Sequence, residues 1–90
     1  MYTLYRVNCN TPRHIYIGMS ESVWYRLLKH LKGQGSKFTQ KHGLKSFRII
    51  KEFNTEKEAK LAEREETLRL KRMYERMGFR ICGAGWSSSI

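Results

Sequence analysis

The hydrophobic pattern at the start of the chain predicts a β-hairpin. Residues 2–8 and 14–18 are short runs rich in tyrosine, leucine, valine and isoleucine, which is typical of strands. The residues between them, 9–13, include Asn10 and Pro12, which favour a turn and disfavour a continued ladder. Two strands joined by a loop of this length are expected to pair antiparallel.

The position of the turn decides which side chains meet across the hairpin. If the turn is centred between Asn10 and Thr11, the symmetry of the loop places Tyr5 directly opposite Tyr16. A slip of one residue would send the two rings to opposite faces of the sheet. We therefore expect Tyr5 and Tyr16 to be cross-strand partners.

The next segment has the period of an α-helix. Ser20 or Ser22 can cap a helix that runs to about Lys32, and Gly33 suits the position just after its end. Its apolar face, on which Trp24 is expected to pack into the core, consists of Val23, Trp24, Leu27 and Leu31.

The rest of the chain predicts three further elements and an optional fourth. Residues 38–42 have the character of a short helix, and residues 46–53 that of a third strand. A capping box over residues 55–58 begins a long helix that continues to about Met77. Residues 79–82 can form a last short strand.

The order of these elements indicates a small α+β domain. It reads β-β-α-β-α, with the optional strand at the end. The length suits a single domain over residues 1–90, in which residues 85–90 form a tail.

Two glutamates interrupt the apolar stripe of the long helix. On this stripe, Met73 and Met77 are expected in the core with Ala59, Ala62, Leu70 and Tyr74. Glu63 lies about 40° to one side of Ala59 and Glu66 about 20° to the other, from the helical period. A carboxylate beside an inward face is costly unless it is paired or binds a cation. A salt bridge to one of the 18 basic residues and a hard cation such as Mg²⁺ are both open interpretations.

Charge is distributed unevenly along the chain. Residues 1–51 contain 10 Lys or Arg and one Glu, a net +9, whereas residues 52–90 contain 8 Lys or Arg and 7 Glu, a net +1. This field suits a polyanion, with nucleic acid the first candidate and a merely basic soluble domain the alternative. No apolar run is long enough to span a membrane or resembles a signal peptide, so an intracellular protein, cytoplasmic or nucleoid-associated, is expected.

Taken one at a time, the polar and aromatic candidates also have structural interpretations. Arg26 and His30 are four residues apart and lie on one side of the first helix, at the edge of its apolar face. A basic pair in this position usually belongs to a solvated face of the helix. Tyr5 and Tyr16 are most often sheet packing when they occur on strands. Cys9 and Cys82 are far apart in sequence and are expected to be plain thiols.

Five short motifs in order make a more specific pattern. They are Thr3-Leu4-Tyr5, Tyr16-Ile17-Gly18, the pair Arg26 and His30, the turn Gly33-Gln34-Gly35-Ser36-Lys37-Phe38-Thr39, and Glu58-Ala59-Lys60-Leu61-Ala62-Glu63. In this order and spacing, the chain resembles the GIY-YIG nuclease superfamily over nearly its whole length. Two positions depart from the family pattern: Thr3-Leu4 replaces the first Gly-Ile, and Arg80 stands where many members have an asparagine.

The resemblance implies a central antiparallel three-stranded sheet flanked by helices, and a DNA endonuclease that uses Mg²⁺ or Mn²⁺. The catalytic residues it implies are Tyr5, Tyr16, Arg26, His30 and Glu63, with Glu63 as the metal ligand. Tyr5 would activate the water with the help of His30, and the positive half of the chain is expected to favour its phenolate. Arg26 would bind the scissile phosphate. We expect the five side chains to converge on one shallow concave patch.

The same resemblance implies that basic residues beyond the site grip flanking phosphates, and these are Lys29, Lys32, Lys37, Lys41 and Lys45. A protein partner or a homodimer could supply specificity, in settings such as DNA repair or recombination. Two other function classes remain open. One is a non-catalytic nucleic-acid-binding module on the same scaffold, and the other is a protein-interaction domain.

The charge distribution predicts a strong dependence of DNA affinity on salt. Each phosphate neutralised by a Lys or Arg adds about 0.9 to the slope of log affinity against log salt concentration. The affinity measured by fluorescence anisotropy should therefore fall steeply between low and physiological salt. An affinity that does not change over this range would remove nucleic acid as the partner.

Overall fold

The computed structural model describes residues 1–35 and 37–83 of the chain. The strands are β1 (Tyr2–Asn8), β2 (His14–Ser20), β3 (Ser46–Phe53) and β4 (Arg80–Gly83). The helices are α1 (Val23–Leu31), α2 (Lys37–His42) and α3 (Glu56–Tyr74), and a 3₁₀ turn at Glu75–Met77 follows α3. The predicted α+β class is confirmed, whereas the expected tail at 85–90 lies outside the described residues.

The four strands form one mixed sheet in the order β3-β1-β2-β4. The central strand β1 is antiparallel to both neighbours, and β4 is parallel to β2. The predicted three-stranded antiparallel sheet is therefore wrong by one strand. The chain reverses after α3 at Gly78, whose φ is 82°, and Ile81 of β4 then enters the core beside β2.

The hairpin register differs from the predicted one by two residues. Tyr5 is opposite Gly18, and Tyr16 is opposite Val7. The turn is centred between Thr11 and Pro12, one residue later than expected, because the Cys9 N–H donates to the His14 carbonyl at 2.9 Å and so closes residues 10–13 into the turn. A shift of two residues preserves the face of every side chain, so both tyrosines still lie on one face.

The sheet separates two clusters of buried side chains. The first lies under α3 and consists of Leu4, Ile15, Ile17, Leu70 and Ile81. The second lies on the opposite face, with contributions from α1 and α2, and consists of Tyr5, Val7, Cys9, Tyr16 and Val23. Neighbouring residues of β1 therefore serve different cores, as the two-residue period of a strand requires.

Helix α1 is oriented differently from the prediction. Val23 and His30 are its buried residues, whereas Trp24 is 65% exposed and Leu31 is 60% exposed. The expectation that Trp24 packs in the core is wrong. The direction of burial passes between Val23 and His30, and Trp24 lies about 100° away from Val23 around the helix.

Helix α3 begins as predicted but buries a different line of residues. The Thr55 hydroxyl accepts a hydrogen bond from the Glu58 N–H at 3.2 Å, which caps the first turn. The buried line of α3 consists of Ala59, Glu63, Thr67 and Leu70. Met73 and Met77 are about half exposed, so their predicted place in the core is wrong. The line of burial continues instead to Tyr74, which packs against Phe79.

Two leucines of α3 provide a matched test of this core. Leu70 is 1% exposed and Leu61 is 58% exposed. Leu70→Ala should lower the free energy of unfolding by about 2–5 kcal/mol, because it leaves a cavity in a packed interior. Leu61→Ala should change it by no more than about 0.5 kcal/mol. Urea unfolding of both variants measures the difference, and equal losses would contradict the described orientation of α3.

Candidate active site

Tyr5 occupies the middle of the sheet, on the face covered by α1 and α2. Its side chain is 1% exposed, and its ring stacks on that of Phe47 of β3 at 5.0 Å between centroids. The end of the ring lies over Gly18, where an added Cβ would approach the Tyr5 hydroxyl to 2.5 Å. The glycine of the Tyr16-Ile17-Gly18 motif therefore gives the Tyr5 ring room to lie across β2.

His30 of α1 lies in contact with Tyr5 in the interior. Its Nε2 is 3.2 Å from the Tyr5 hydroxyl, and its Nδ1 is 2.9 Å from the Thr39 hydroxyl. The imidazole is 3% exposed. The alternative interpretation of His30 as part of a solvated helix face is therefore wrong.

Tyr16 completes a triangle of rings with these two residues. Its ring centroid is 6.4 Å from that of Tyr5 and 5.8 Å from that of His30. The three side chains come from β1, β2 and α1. The structure thus brings Tyr5, Tyr16 and His30 together, with Tyr5 and Tyr16 as diagonal rather than direct cross-strand neighbours.

Arg26 and Glu63 both lie within electrostatic reach of Tyr5. Arg26 is exposed on α1 and lines an open depression together with Tyr2 and Ser20. Glu63 is 5% exposed and belongs to the buried line of α3. Both charges act on Tyr5, since Arg26 lowers and Glu63 raises the pKa of its phenol. The five predicted residues therefore form one electrostatic cluster, although Arg26 alone among them lines the depression.

Burial, not net charge, controls the protonation of Tyr5. Removal from water raises the pKa of the Tyr5 phenol far above its ordinary value, and Tyr16 and Glu63 add to this effect. The opposing effect of Arg26 is smaller. The expectation that the positive half of the chain favours the phenolate is therefore wrong, and Tyr5 is a neutral phenol at pH 7.

His30 is shifted in the opposite sense for the same reason. Burial lowers the pKa of its imidazole, and the nearby Arg26 lowers it further. At neutral pH the ring is uncharged and has one protonated nitrogen and one lone pair. A neutral phenol therefore faces a neutral imidazole, and a proton can pass between them.

The two glutamates near the apolar stripe have different surroundings. Glu66 accepts two hydrogen bonds from the Arg69 guanidinium, at 2.7 and 2.8 Å, and this pairing lowers the pKa of its carboxyl. The salt-bridge interpretation is therefore confirmed for Glu66. Glu63 is more deeply buried and lies within electrostatic reach of Tyr5.

The five predicted phosphate-binding lysines lie between α1 and the loop after α2. Four of them are exposed, and these are Lys32, Lys37, Lys41 and Lys45. Lys29 is half-buried, and its ammonium lies 5.1 Å from the centre of the Tyr25 ring. The exposed four are available to a polyanion at the surface.

The sequence did not single out Thr39, Gly35 or Phe47 as parts of this site. Thr39 is 1% exposed and bonds His30, and Gly35 packs closely against the same imidazole. Thr39 and Gly35 both belong to the motif turn at residues 33–39, which was the available signal. Motif spacing does not give contacts between helices, and Thr39 reaches His30 only because α2 packs against α1.

The described residues contain no group of three or more His, Cys, Asp or Glu side chains able to hold a metal ion. A dedicated protein cage for a cation is therefore absent from residues 1–35 and 37–83. A single buried carboxylate, Glu63, suits a hard cation that retains most of its water. Over the same residues, no helix is long and apolar enough to cross a membrane.

Comparison with known proteins gives one match. The model of the GIY-YIG catalytic domain matches residues 1–78 of this chain, which is most of its length. No curated protein and no solved structure matches it.

The burial of His30 predicts its titration. Folding favours the neutral ring, so the contribution of His30 to stability is present above about pH 6.5 and is lost as the pH falls through its lower native pKa. An NMR titration of the His30 ring should give a midpoint below 6.5. Arg26→Gln should raise this midpoint but leave it below 6.5, because burial remains. A midpoint at or above 6.5 in the unmodified protein would contradict the described environment.

Proposed function

This chain belongs to the GIY-YIG family, and from that membership we propose that it is a DNA endonuclease dependent on one divalent cation. Domains of this family are nucleases, and they generally use a divalent metal. The observation that carries the proposal is the buried hydrogen bond between Tyr5 and His30, with the charges of Arg26 and Glu63 around it. Hydrolysis of a phosphodiester needs an activated water and neutralisation of the charge that builds up at phosphorus.

Tyr5 and His30 together activate the water. A neutral phenol is not a base, so Tyr5 passes its proton to the Nε2 atom of His30 as its oxygen takes a proton from the attacking water. The high pKa of the phenol and the low pKa of the imidazole make this transfer unfavourable at rest. The positive charge of Arg26 lowers the pKa of both groups, so it stabilises the phenolate and disfavours the imidazolium.

Arg26 and Tyr16 position the substrate and the nucleophile. The exposed guanidinium of Arg26 makes paired hydrogen bonds to the scissile phosphate, where negative charge develops. Tyr16 packs beside both reacting side chains and holds the rings of Tyr5 and His30 in position. The depression that Arg26 lines with Tyr2 and Ser20 is open to solvent, so a phosphate can enter.

Glu63 is the residue that would hold the cation, Mg²⁺ or Mn²⁺. Its carboxylate is buried and is a hard oxygen donor of the kind these ions prefer. The cation, when bound, neutralises charge on the phosphate and on the leaving 3′ oxygen. Because Glu63 would be the one protein carboxylate on the cation, substrate phosphate would supply further oxygen ligands, and metal and DNA should bind more tightly together than apart.

Basic residues outside the site bind the parts of the substrate that flank the scissile phosphate. Lys32, Lys37, Lys41 and Lys45 contact flanking phosphates, and Lys29 adds its charge at the end of α1. The proposed setting is intracellular, in the cytoplasm or at the nucleoid, in repair or recombination of DNA. Specificity for sequence or branch structure comes from a protein partner, a second copy or DNA shape.

One observation favours a second candidate function. Arg80, which stands at the family's usual asparagine position, is an exposed residue of β4 opposite His14. A chain that lacks that asparagine can retain the scaffold and bind nucleic acid without cutting it. Incubation with duplex, branched and single-stranded DNA in Mg²⁺ or Mn²⁺ separates the two functions. Metal-dependent nicking supports the nuclease, and binding without nicking supports the module.

Glu63 and Glu66 provide a matched pair of variants. Glu63→Gln preserves shape, removes one negative charge and should leave folding and DNA binding intact or slightly stronger. Cleavage should fall by at least about 100-fold, because several kcal/mol of leaving-group stabilisation are lost. Glu66→Gln removes only an ion pair with the exposed Arg69, worth about 0.2–1 kcal/mol, and should leave the rate near wild type. Equal damage from both changes, or full cleavage by the Glu63 variant, would overturn the assignment.

A further inference from the structure

We propose that Thr39 is a positioning residue that fixes the tautomer of His30, so that the lone pair of Nε2 faces the Tyr5 hydroxyl. The effect of Thr39 on cleavage rests on the proposed nuclease function, whereas its effect on the His30 tautomer does not. A neutral imidazole has one N–H, and the partner of one nitrogen determines what the other can do. Thr39 is the partner of the nitrogen on the far side from Tyr5.

The three side chains form a continuous buried line. The Tyr5 hydroxyl is 3.2 Å from Nε2 of His30, and Nδ1 of the same ring is 2.9 Å from the Thr39 hydroxyl oxygen. Tyr5 and Thr39 are each 1% exposed and His30 is 3% exposed. The buried Tyr5 hydroxyl and the two His30 nitrogens need hydrogen-bond partners, and this line provides them.

The protonation state of Tyr5 determines which group donates in each of these hydrogen bonds. Its hydroxyl is buried and protonated, so its proton requires an acceptor, and Nε2 of His30 is in hydrogen-bonding distance. Nε2 therefore carries the lone pair, and the ring proton is on Nδ1, where it is donated to the Thr39 oxygen. In the reverse tautomer an N–H would face the phenol oxygen, and His30 could not take the proton of Tyr5.

The local backbone supports a dedicated role for Thr39. Gly35 packs directly against this hydrogen bond, and an added Cβ there would collide with Nδ1 of His30 and lie 2.8 Å from the Thr39 hydroxyl. Gly35 thus covers the contact, and helix α2 places Thr39 against the imidazole. A valine at residue 39 would fill nearly the same space without offering an oxygen.

The test compares Thr39→Val with Thr39→Ser. Long-range ¹H–¹⁵N NMR spectra of the protein alone report which ring nitrogen of His30 is protonated. We expect protonated Nδ1 and unprotonated Nε2 in the unmodified protein and in Thr39→Ser. Thr39→Val should shift the ring toward the other tautomer. Cleavage by Thr39→Val should fall by about 10- to 100-fold with little change in KM, whereas Thr39→Ser should stay close to wild type.

Each result decides a separate question. Protonated Nε2 in the unmodified protein would overturn the proposal, even if Thr39→Val does not fold. An unchanged tautomer in a folded Thr39→Val variant, or equal loss of cleavage in both variants, would also overturn it. If the unmodified protein does not cut DNA, the nuclease function fails, but the NMR result still decides the role of Thr39.

Discussion

The arrangement of the site depends on the central position of β1. Because β1 is paired on both sides, its alternation of side chains is fixed by two neighbours at once, and Leu4 and Tyr5 must enter different cores. Leu4 packs under α3, and Tyr5 faces α1 and α2. A slip by one residue would place the phenol in the core under α3 and the leucine in the core under α1 and α2. The placement of Tyr5 is therefore protected by the same pairing that forms the sheet.

Burial and positive charge compete at Tyr5, where burial is the stronger effect, whereas at His30 both lower the pKa. The chain carries a net +10, which by itself favours a phenolate. Most of that charge is at the surface, where water screens it, whereas desolvation acts directly on the buried hydroxyl. Burial raises the pKa of Tyr5 and lowers that of His30, so both are neutral and joined by a hydrogen bond. The proposed base is thus a pair of side chains, neither of which is charged at rest.

The sequence predicted most of the elements but not how they face one another. The order of elements and the Thr55 cap were correct because periodicity and capping chemistry are local signals. Trp24 was misplaced because an amphipathic pattern shows that a helix has an apolar side but not which direction the sheet covers. Thr39 was missed because its partner is nine residues away on another helix.

Strand β3 shows a second limit on what alternation can predict. Phe47 and Phe53 are six residues apart, so in a regular strand they would share a face. The pairing with β1 shifts between Leu4 and Tyr5, where one extra residue of β3 is accommodated. Phe53 therefore packs toward α3, whereas Phe47 stacks on Tyr5. A bulge of this kind re-aims side chains without any signal in the hydrophobic pattern.

Glu63 acts on Tyr5 although α3 covers one face of the sheet and Tyr5 lies on the opposite face. Thr67 packs directly against Gly83, the last described residue of β4, which is opposite Ile17 of β2. Tyr74 packs against Phe79, just before β4, so α3 runs antiparallel to that strand. Glu63 is one helical turn before Thr67 and therefore lies past Gly83, level with the residues of β2 that follow Ile17. From that edge its charge reaches the Tyr5 hydroxyl, which lies over Gly18, and one helix contributes to both the apolar core and the electrostatics of Tyr5.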